Sequence, residues 1–128
     1  MADPAPPIRR VLVIEDEDNI ALALEYVILG EGLVYDRVAN GAEALPRIRQ
    51  THPDLVLLDV MLPEVSGYAI CQSVRKDPDL TRTRIIMMTA RGSATQRGKC
   101  LDAGADGFIS KPFELRALRD ELHRHLAQ

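Results

Sequence analysis

Residues 55–59 read LVLLD, four consecutive apolar side chains followed by a carboxylate. Two similar apolar runs occur at Val11–Ile14 (VLVI) and Ile85–Met88 (IIMM). Runs that do not alternate with polar residues indicate strands covered on both faces, which is typical of parallel sheets. Weaker patterns at Leu33–Val38 and Gly107–Ser110 predict two edge strands. The sequence therefore predicts a parallel sheet of five strands.

The segments between these strands are long enough for the helical crossovers that parallel pairing requires. We expect Asp18 or Asn19 to cap the first helix, Asn40 to cap the second and Ser66 to cap the third. The last helix is predicted from leucines three to four residues apart, namely Leu115, Leu118, Leu122 and Leu126. The chain thus divides into five β-α units.

Two of these helices carry weak signals. Pro46 falls inside the predicted second helix, where it removes one backbone hydrogen bond and costs about 3 kcal/mol unless the helix kinks. The fourth helix, roughly Ser93–Asp102, has few apolar anchors and low helix propensity. Two interpretations stay open for it: a segment that shifts or frays, or an ordinary surface helix.

Length and composition limit the function classes. A chain of 128 residues holds one domain, and we expect residues 1–7 to be a disordered leader and residues 8–128 to form the domain. Sixteen Lys and Arg against 19 Asp and Glu give a net charge of −3, which argues against a nucleic-acid partner. The sequence contains neither a membrane span nor a signal peptide, so we expect a cytoplasmic protein. Cys71 and Cys100 are expected to be reduced and buried.

Polar residues directly follow four of the strands and converge on one edge of the sheet, where ligands of parallel sheets bind. They are Glu15, Asp16, Asp59, Thr89 and Lys111. Asp16 and Asp59 would repel one another if both stayed ionised and unpaired. Mg²⁺ relieves that conflict, because it binds through one or two carboxylates and keeps waters for a substrate phosphate. Together with the charge of Lys111 and the hydroxyl of Thr89, this set can hold a phosphoryl group.

Four stretches carry a resemblance to a known family: Val11–Asp16 (VLVIED), Leu55–Gly67 (LVLLDVMLPEVSG), Ile86–Gly92 (IMMTARG) and Ala103–Phe113 (AGADGFISKPF). Over about residues 9–126 the chain resembles the CheY-like receiver domain of two-component response regulators. The resemblance implies a flavodoxin-like (β/α)5 fold, a doubly wound α/β structure whose five-stranded parallel sheet has the strand order 2-1-3-4-5.

The resemblance also implies an acidic metal site. It identifies Asp59 as the phospho-acceptor and as a ligand of Mg²⁺, for which Mn²⁺ is expected to substitute. Asp16 would bind the metal directly, Glu15 beside it through water, and the backbone carbonyl of Met61 would complete the protein's ligands. Glu15 stands where the family more often has Asp, and its longer side chain still reaches a metal-bound water.

On the phosphoryl side, the resemblance pairs Lys111 with the phosphoryl group, which Thr89 and the amide of Ala90 would bind by hydrogen bonds. The Lys111–Pro112 peptide is expected to be cis. Thr89 and Phe108 form the expected switch, in which Thr89 moves toward the phosphoryl group and Phe108 fills the vacated space. Phe108 replaces the more common Tyr, so packing alone must report the switch.

The implied function is a signalling switch that accepts a phosphoryl group from a sensor histidine kinase or a histidine phosphotransfer protein. The signal would reach a protein partner through the face made by the fourth helix, fifth strand and fifth helix, without direct contact to nucleic acid or membrane. Beyond its own phosphorylation and slow dephosphorylation, we expect no enzymatic turnover. We expect a natural stand-alone protein. The alternatives are a fragment of a longer regulator, an aspartate-nucleophile phosphatase, and a pseudo-receiver that only docks.

Several residues bear on regulation and assembly. Met61 and Arg91 occupy positions that tune dephosphorylation in the family, and we expect a Met61→Asn variant to dephosphorylate faster. The other interpretation makes Met61 an edge-of-core side chain. A family dimer network is only half matched, with Asp106, Arg97 and Arg124 retained and Gly107, Ala117 and Glu121 departing from it, so we expect a monomer. His52, His123 and His125 are expected to be solvated surface groups.

Overall fold

A computed structural model describes residues 9–90 and 93–126. In these residues strands and helices alternate along the chain. The strands are β1 (Arg10–Ile14), β2 (Val34–Val38), β3 (Leu55–Asp59), β4 (Arg84–Ala90) and β5 (Gly107–Lys111). The helices are α1 (Asp18–Gly30), α2 (Ala44–Thr51), α3 (Gly67–Lys76), α4 (Ala94–Ala103) and α5 (Leu115–Leu126). The predicted leader, residues 1–7, lies outside the described residues.

The five strands form one parallel sheet in the order β2-β1-β3-β4-β5. β3 lies in the centre, and all five of its residues are buried. In register, Val11 of β1 pairs with Leu55, and Asp59 pairs with Met88 of β4. The strand order and the parallel pairing confirm the predicted flavodoxin-like fold.

Alternate residues of the central strands supply two separate cores. One core covers Val13 and Leu57 with the apolar sides of α1 and α5. The other covers Leu12 and Leu58 with α2, α3 and α4. Both faces of the sheet are therefore buried, which explains why the three central strands read as unbroken apolar runs.

The helix starts differ in part from the expected caps. The Ser66 hydroxyl accepts a hydrogen bond from the Tyr68 amide at 3.1 Å, which confirms this cap of α3. The prediction for α1 is wrong, because its N-cap is Glu17 without a side-chain hydrogen bond. Asp18 instead pairs with the Arg37 guanidinium at 2.9 Å. Asn40 does cap, but it caps a 3₁₀ turn at Gly41–Glu43 that leads into α2.

That 3₁₀ turn also removes the expected problem at Pro46. Because α2 begins at Ala44, Pro46 lies in its first turn. The backbone amides of a first helical turn have no intrahelical acceptor, so a proline there loses no hydrogen bond. The prediction that Pro46 removes a hydrogen bond inside the second helix is therefore wrong.

The packing of the last two helices follows from their sequences. α4 starts at the Ser93 cap and ends at Gly104, and it buries only Cys100 and Ala103. In α5 the side chains of Leu118, Leu122 and Leu126 are buried. Leu115, the first of the four leucines that predicted this helix, is its first residue and is 40% exposed.

Cys71 and Cys100 are free thiols and both are buried, as predicted. Burial raises the pKa of both thiols, that of Cys71 to about 11. Both groups are therefore protonated and unreactive near neutral pH. Among the described residues, none of the helices is long and apolar enough to cross a membrane.

Candidate functional site

The carboxyl edge of the sheet gathers the polar side chains that the sequence pointed to. Glu15 directly follows β1, Asp59 ends β3 and Lys111 ends β5, while Thr89 is the next-to-last residue of β4. Because all five strands run in parallel, these ends meet at one edge. Glu15, Asp59 and Thr89 are buried although polar.

One ammonium group forms ion pairs with two buried carboxylates at this edge. Lys111 Nζ lies 2.6 Å from Glu15 Oε1 and 3.1 Å from Asp59 Oδ2. Burial alone would lower the pKa of Lys111, but its hydrogen bonds to Glu15 and Asp59 raise that pKa above its ordinary value. Burial raises the pKa of Glu15, and the hydrogen bond from Lys111 partly opposes this shift. Lys111 therefore stays protonated and bridges β1, β3 and β5.

Asp16 adds a third, exposed carboxylate to the cluster. One ligand oxygen from each of Glu15, Asp16 and Asp59 lies within 4.8 Å of the others. Three carboxylates against one ammonium leave a surplus of negative charge, which favours a bound cation. Hard oxygen donors with one open side match the ligand preference of Mg²⁺.

The loop after β3 contributes a backbone amide. The Met61 amide donates to Asp59 Oδ1 at 3.1 Å and so orients the carboxylate that Lys111 contacts through its other oxygen. The side chain of Met61 is 70% exposed, so the interpretation as an edge-of-core residue is wrong. The role of its carbonyl as a metal ligand stays a prediction.

Two groups that were expected to bind a phosphoryl oxygen have other partners in this structure. The Thr89 hydroxyl, 1% exposed, donates to the Ile109 carbonyl at 3.5 Å. The Ala90 amide donates to Gln96 Oε1 of α4 at 2.7 Å. A phosphoryl group on Asp59 would therefore have to exchange with existing hydrogen bonds before these groups could bind it.

The neighbouring residues of β5 lie where the sequence placed them. The Lys111–Pro112 peptide bond is cis. Phe108 is half-buried, and the Arg97 guanidinium carbon lies 5.3 Å from the centre of its ring. Arg91, the second residue expected to tune dephosphorylation, lies outside the described residues.

Two contributors to the site were missed by sequence reasoning. Arg37 of β2 donates from Nε and Nη2 to the Glu15 carbonyl at 3.1 and 2.9 Å, and so holds the backbone of the acidic pair. At Gly67 an added Cβ would lie 2.3 Å from the Asp59 carbonyl oxygen, so α3 can start beside Asp59 only if its first residue has no side chain. The sequence feature that could have pointed to Arg37 is its charge, which is unusual within so short an edge strand as β2.

The model of the response regulator receiver domain family matches residues 11–123 of this sequence. The chain belongs to this family. It is therefore a receiver domain of the two-component response regulators. The family assignment confirms the resemblance read from the four sequence stretches.

The curated relatives of this receiver domain are longer proteins. The phosphate regulon transcriptional regulatory protein PhoB of Rhizobium meliloti is 41% identical over 104 residues, which cover 81% of this chain and 46% of PhoB. The transcriptional regulatory protein TcrA of Mycobacterium tuberculosis is 39% identical over 117 residues, 91% of this chain and 44% of TcrA. The chain spans about half the length of the curated relatives it matches.

Solved receiver structures superpose closely on this one. A candidate response regulator from Chloroflexus aurantiacus has a TM-score of 0.91 at 35% identity and covers 95% of this chain and 100% of its own. The receiver domain of the sensor histidine kinase PA1611 from Pseudomonas aeruginosa has a TM-score of 0.86 at 27% identity, covering 95% of this chain and 100% of its own. That structure has a magnesium ion coordinated in its active-site cleft.

The three retained residues of the half-matched dimer network have partners within this receiver domain. Asp106 pairs with Arg75 at 2.6 Å, Arg124 pairs with Glu121 at 3.2 Å, and Arg97 lies over Phe108. The prediction of a monomer stays a prediction.

The three histidines divide into two groups. His52 and His123 are exposed, as expected. The prediction for His125 is wrong, because its side chain is only 12% exposed and its Nε2 lies 3.1 Å from Glu121 Oε2. Gly107 makes room for this ring, since a Cβ there would lie 2.9 Å from His125 Nε2.

Proposed function

We propose that this receiver domain is a phosphorylation-controlled switch in which Asp59 accepts a phosphoryl group from a phosphohistidine of a sensor histidine kinase or a histidine phosphotransfer protein. One observation carries the proposal. The buried Asp59 carboxylate is held by the Met61 amide on one oxygen and by Lys111 on the other, inside a cluster with surplus negative charge. The nucleophile, Asp59, and the positive charge that can stabilise its reaction, Lys111, thus lie together at the carboxyl edge of the sheet.

The groups of this chain can perform the transfer. An oxygen of Asp59 attacks phosphorus in line, the P–O bond forms, and the P–N bond to the donor imidazole breaks. The electron pair of that bond leaves with the imidazole. Lys111 stays protonated, as its raised pKa requires, and neutralises charge on the transferring oxygens. The product is an acyl phosphate on Asp59.

A divalent cation belongs to the proposal because the acidic cluster fits it. Asp16 and Asp59 would supply carboxylate oxygens directly, Glu15 would act through a metal-bound water, and we assign the Met61 carbonyl as the remaining protein ligand. When bound, Mg²⁺ would offset the surplus negative charge and polarise phosphoryl oxygens, and Mn²⁺ is expected to substitute. The magnesium in the related PA1611 receiver supports this assignment.

The signal would leave through the face formed by α4, β5 and α5. A groove of about 510 Å³ lies on this face, lined among others by Arg97, Phe108 and Glu121. Phe108 lines the surface that a partner can contact, and the next residue of β5, Ile109, accepts the Thr89 hydroxyl through its carbonyl at 3.5 Å. We assign this groove to a downstream protein target.

Two alternative functions differ in their support. An aspartate phosphatase of similar fold would need a general acid close to its nucleophile, and the residue two positions after Asp59 is Met61, which cannot donate a proton. The relatives described as transcriptional regulators favour the fragment alternative, in which this domain controls a DNA-binding segment of a longer chain. In that case the protein target of the groove would be part of the same polypeptide.

The test is incubation with acetyl phosphate and Mg²⁺ followed by intact-mass measurement. We expect the wild type to gain one phosphoryl group and Asp59→Asn to gain none. Asp79→Asn, which changes an exposed carboxylate at the opposite end of the sheet, is the matched control and should gain the same mass as the wild type. An equal gain in wild type and Asp59→Asn, or no gain in either, would overturn the proposal.

Dephosphorylation gives a second test, at Met61. An apolar, exposed thioether next to Asp59 cannot orient an attacking water, so the acyl phosphate should decay more slowly than in Met61→Asn. The measurement is the loss of the added mass after the phosphodonor is removed. Equal decay rates in the two proteins would contradict this role of Met61.

A further inference from the structure

A closed set of hydrogen bonds joins the end of β4 to the start of α4. The Ala90 amide donates to Gln96 Oε1 at 2.7 Å, the Gln96 amide donates to the Ser93 hydroxyl at 3.2 Å, and the Ser93 amide donates to the Ala90 carbonyl at 3.3 Å. The Ser93 hydroxyl is the cap of α4. The first turn of α4 is therefore fastened directly to the residue that follows Thr89.

The Gln96 carboxamide occupies the donor that phosphorylation needs. An amide carries one proton and makes one strong hydrogen bond, so it serves either Gln96 or a phosphoryl oxygen. Under the proposed function, the phosphoryl oxygen would be a charged acceptor and would form the stronger bond. The two acceptors therefore compete for the Ala90 amide.

The next residue along α4 extends this contact to the output face. The Arg97 guanidinium lies 5.3 Å from the centre of the Phe108 ring, and its Nη2 donates to the Ser110 hydroxyl at 3.2 Å. The same helical turn thus holds the Ala90 amide through one side chain and contacts Phe108 and Ser110 of β5 through the adjacent one. A shift of this turn must change both sets of contacts.

We propose that Gln96 is a positioning residue that holds α4 against the unphosphorylated site and is displaced from the Ala90 amide when Asp59 is phosphorylated. The displacement frees the first turn of α4 and loosens Arg97 from Phe108, so the occupancy of the site is transmitted to the groove on the α4, β5 and α5 face. The inference rests on the proposed function and adds to it the side chain that opposes activation. α4 buries only Cys100 and Ala103, so few apolar contacts resist such a movement.

The test compares two substitutions of opposite expected effect. Beryllium fluoride with Mg²⁺ serves as a phosphoryl mimic that binds reversibly, and its affinity is measured by titration. Gln96→Ala removes the competitor, so the mimic should bind about three- to tenfold more tightly than to the wild type. Gln96→Glu supplies a charged acceptor that binds the amide more strongly and repels the anion, so binding should weaken at least about threefold. Thr95→Ala, on the same turn and exposed, is the control and should match the wild type.

The outcomes separate the two claims. If Gln96→Ala and Gln96→Glu both bind the mimic as the wild type does, or both bind it more weakly, Gln96 has only a structural role and the inference is overturned. If the wild type binds no mimic, or if Asp59→Asn binds it equally well, the proposed function itself fails.

A second measurement follows the coupling to β5. The NMR signals of the Phe108 ring should shift when the wild type binds the mimic, and in Gln96→Ala they should lie part of the way to that position without any mimic. Unshifted signals in Gln96→Ala would overturn the link from Gln96 through Arg97 to Phe108.

Discussion

Two charged clusters lie at opposite edges of the same sheet, and they are built on different rules. At the edge where β4 and β5 begin, Arg75 donates to the Gly104 carbonyl at 2.7 Å, the Thr83 carbonyl at 2.8 Å and Asp106 Oδ2 at 2.6 Å. The Ile85 amide also donates to Asp106 at 2.8 Å. In this amino-edge cluster, centred on Arg75 and Asp106, the single carboxylate is neutralised by one close guanidinium and by a second, that of Arg84, at 3.8 Å. Its groups also make several hydrogen bonds.

The carboxyl-edge cluster of Glu15, Asp16, Asp59 and Lys111 does not balance in this way. Three carboxylates share one ammonium, and the exposed Asp16 lies open to solvent. A balanced cluster contributes to stability and has little capacity for a ligand, whereas an unbalanced one is completed only by a cation or an incoming group. The surplus negative charge, and not burial alone, therefore distinguishes the candidate functional edge from the amino edge.

The largest difference between the two clusters is expected for Lys111→Ala. Removing the only ammonium of the carboxyl-edge cluster should slow phosphorylation by acetyl phosphate about 100- to 1000-fold, since charge on the transferring oxygens loses its partner. The rate of mass gain measures the effect. Lys76→Ala, which removes an exposed lysine at the end of α3, should leave the rate unchanged. A Lys111→Ala rate within threefold of the wild type would refute the role assigned to Lys111.

The reverse pattern is expected at the amino edge. Arg75→Ala removes a guanidinium that is 25% exposed and leaves Asp106 and two carbonyls with fewer partners, so the free energy of unfolding should fall by about 2 kcal/mol. Urea unfolding measures the change. The phosphorylation rate under native conditions should not change.

Arg49→Ala is the matched control for that prediction. Arg49 pairs with Asp77 at 3.3 Å but is 56% exposed, so its loss should lower stability by less than about 1 kcal/mol. If Arg49→Ala destabilised the protein as much as Arg75→Ala, the amino-edge cluster would not be the specific source of stability.

A pair of glycines tests how closely the backbone approaches the carboxyl-edge cluster. Gly67→Ala places a Cβ 2.3 Å from the Asp59 carbonyl oxygen, which should lower the free energy of unfolding by about 1 to 3 kcal/mol and slow phosphorylation. Gly98→Ala, inside α4 with no atom within 4 Å of the new Cβ, should raise stability by up to about 1 kcal/mol. Denaturant unfolding of both variants is decisive, and effects of the same sign would contradict the prediction.

The smallest effect is expected from the Cys71 thiol, which lies one helical turn before Arg75 and donates to the Ala103 carbonyl at 3.4 Å. Burial raises its pKa from 9.0 to about 11. The folded state therefore holds this proton more tightly than the unfolded state, so the contribution is complete below pH 9 and is lost as pH rises toward 11. Stability should fall by about 1 kcal/mol per pH unit in that window.

Unfolding at pH 8, 9 and 10 measures this dependence, with Cys71→Ala as the control. That variant lacks the thiol and should show a smaller pH dependence than the wild type. Identical slopes in the two proteins would show that Cys71 does not contribute.

The sequence predicted the fold and the chemical centre well because both depend on patterns that local residues carry. Unbroken apolar runs identified the central strands, and the residue after each run had to lie at the carboxyl edge. The order of the strands came from the family resemblance, since the pattern of runs does not determine which strands are neighbours.

The errors occurred where tertiary contacts determine the partner or the exposure of a side chain. Asp18 looked like a cap, but Arg37 from another strand binds it. The sequence predicted that His125 is solvated, but its ring lies in the space left by the missing side chain of Gly107. The bond between Gln96 and the Ala90 amide depends on the position of α4, which its weak amphipathic pattern could not indicate. These contacts join residues that the helical or strand period does not relate.

The strand order has a mechanical consequence for the site. Asp59 ends the central strand β3, which hydrogen-bonds to a neighbour on each side, while Lys111 ends the edge strand β5, which within the described residues pairs with β4 alone. Moving Asp59 would disturb two ladders, but moving Lys111 would disturb one. Under the proposed function, the side of the site that forms the covalent bond is therefore stiff, and the side that contacts the bound group is compliant.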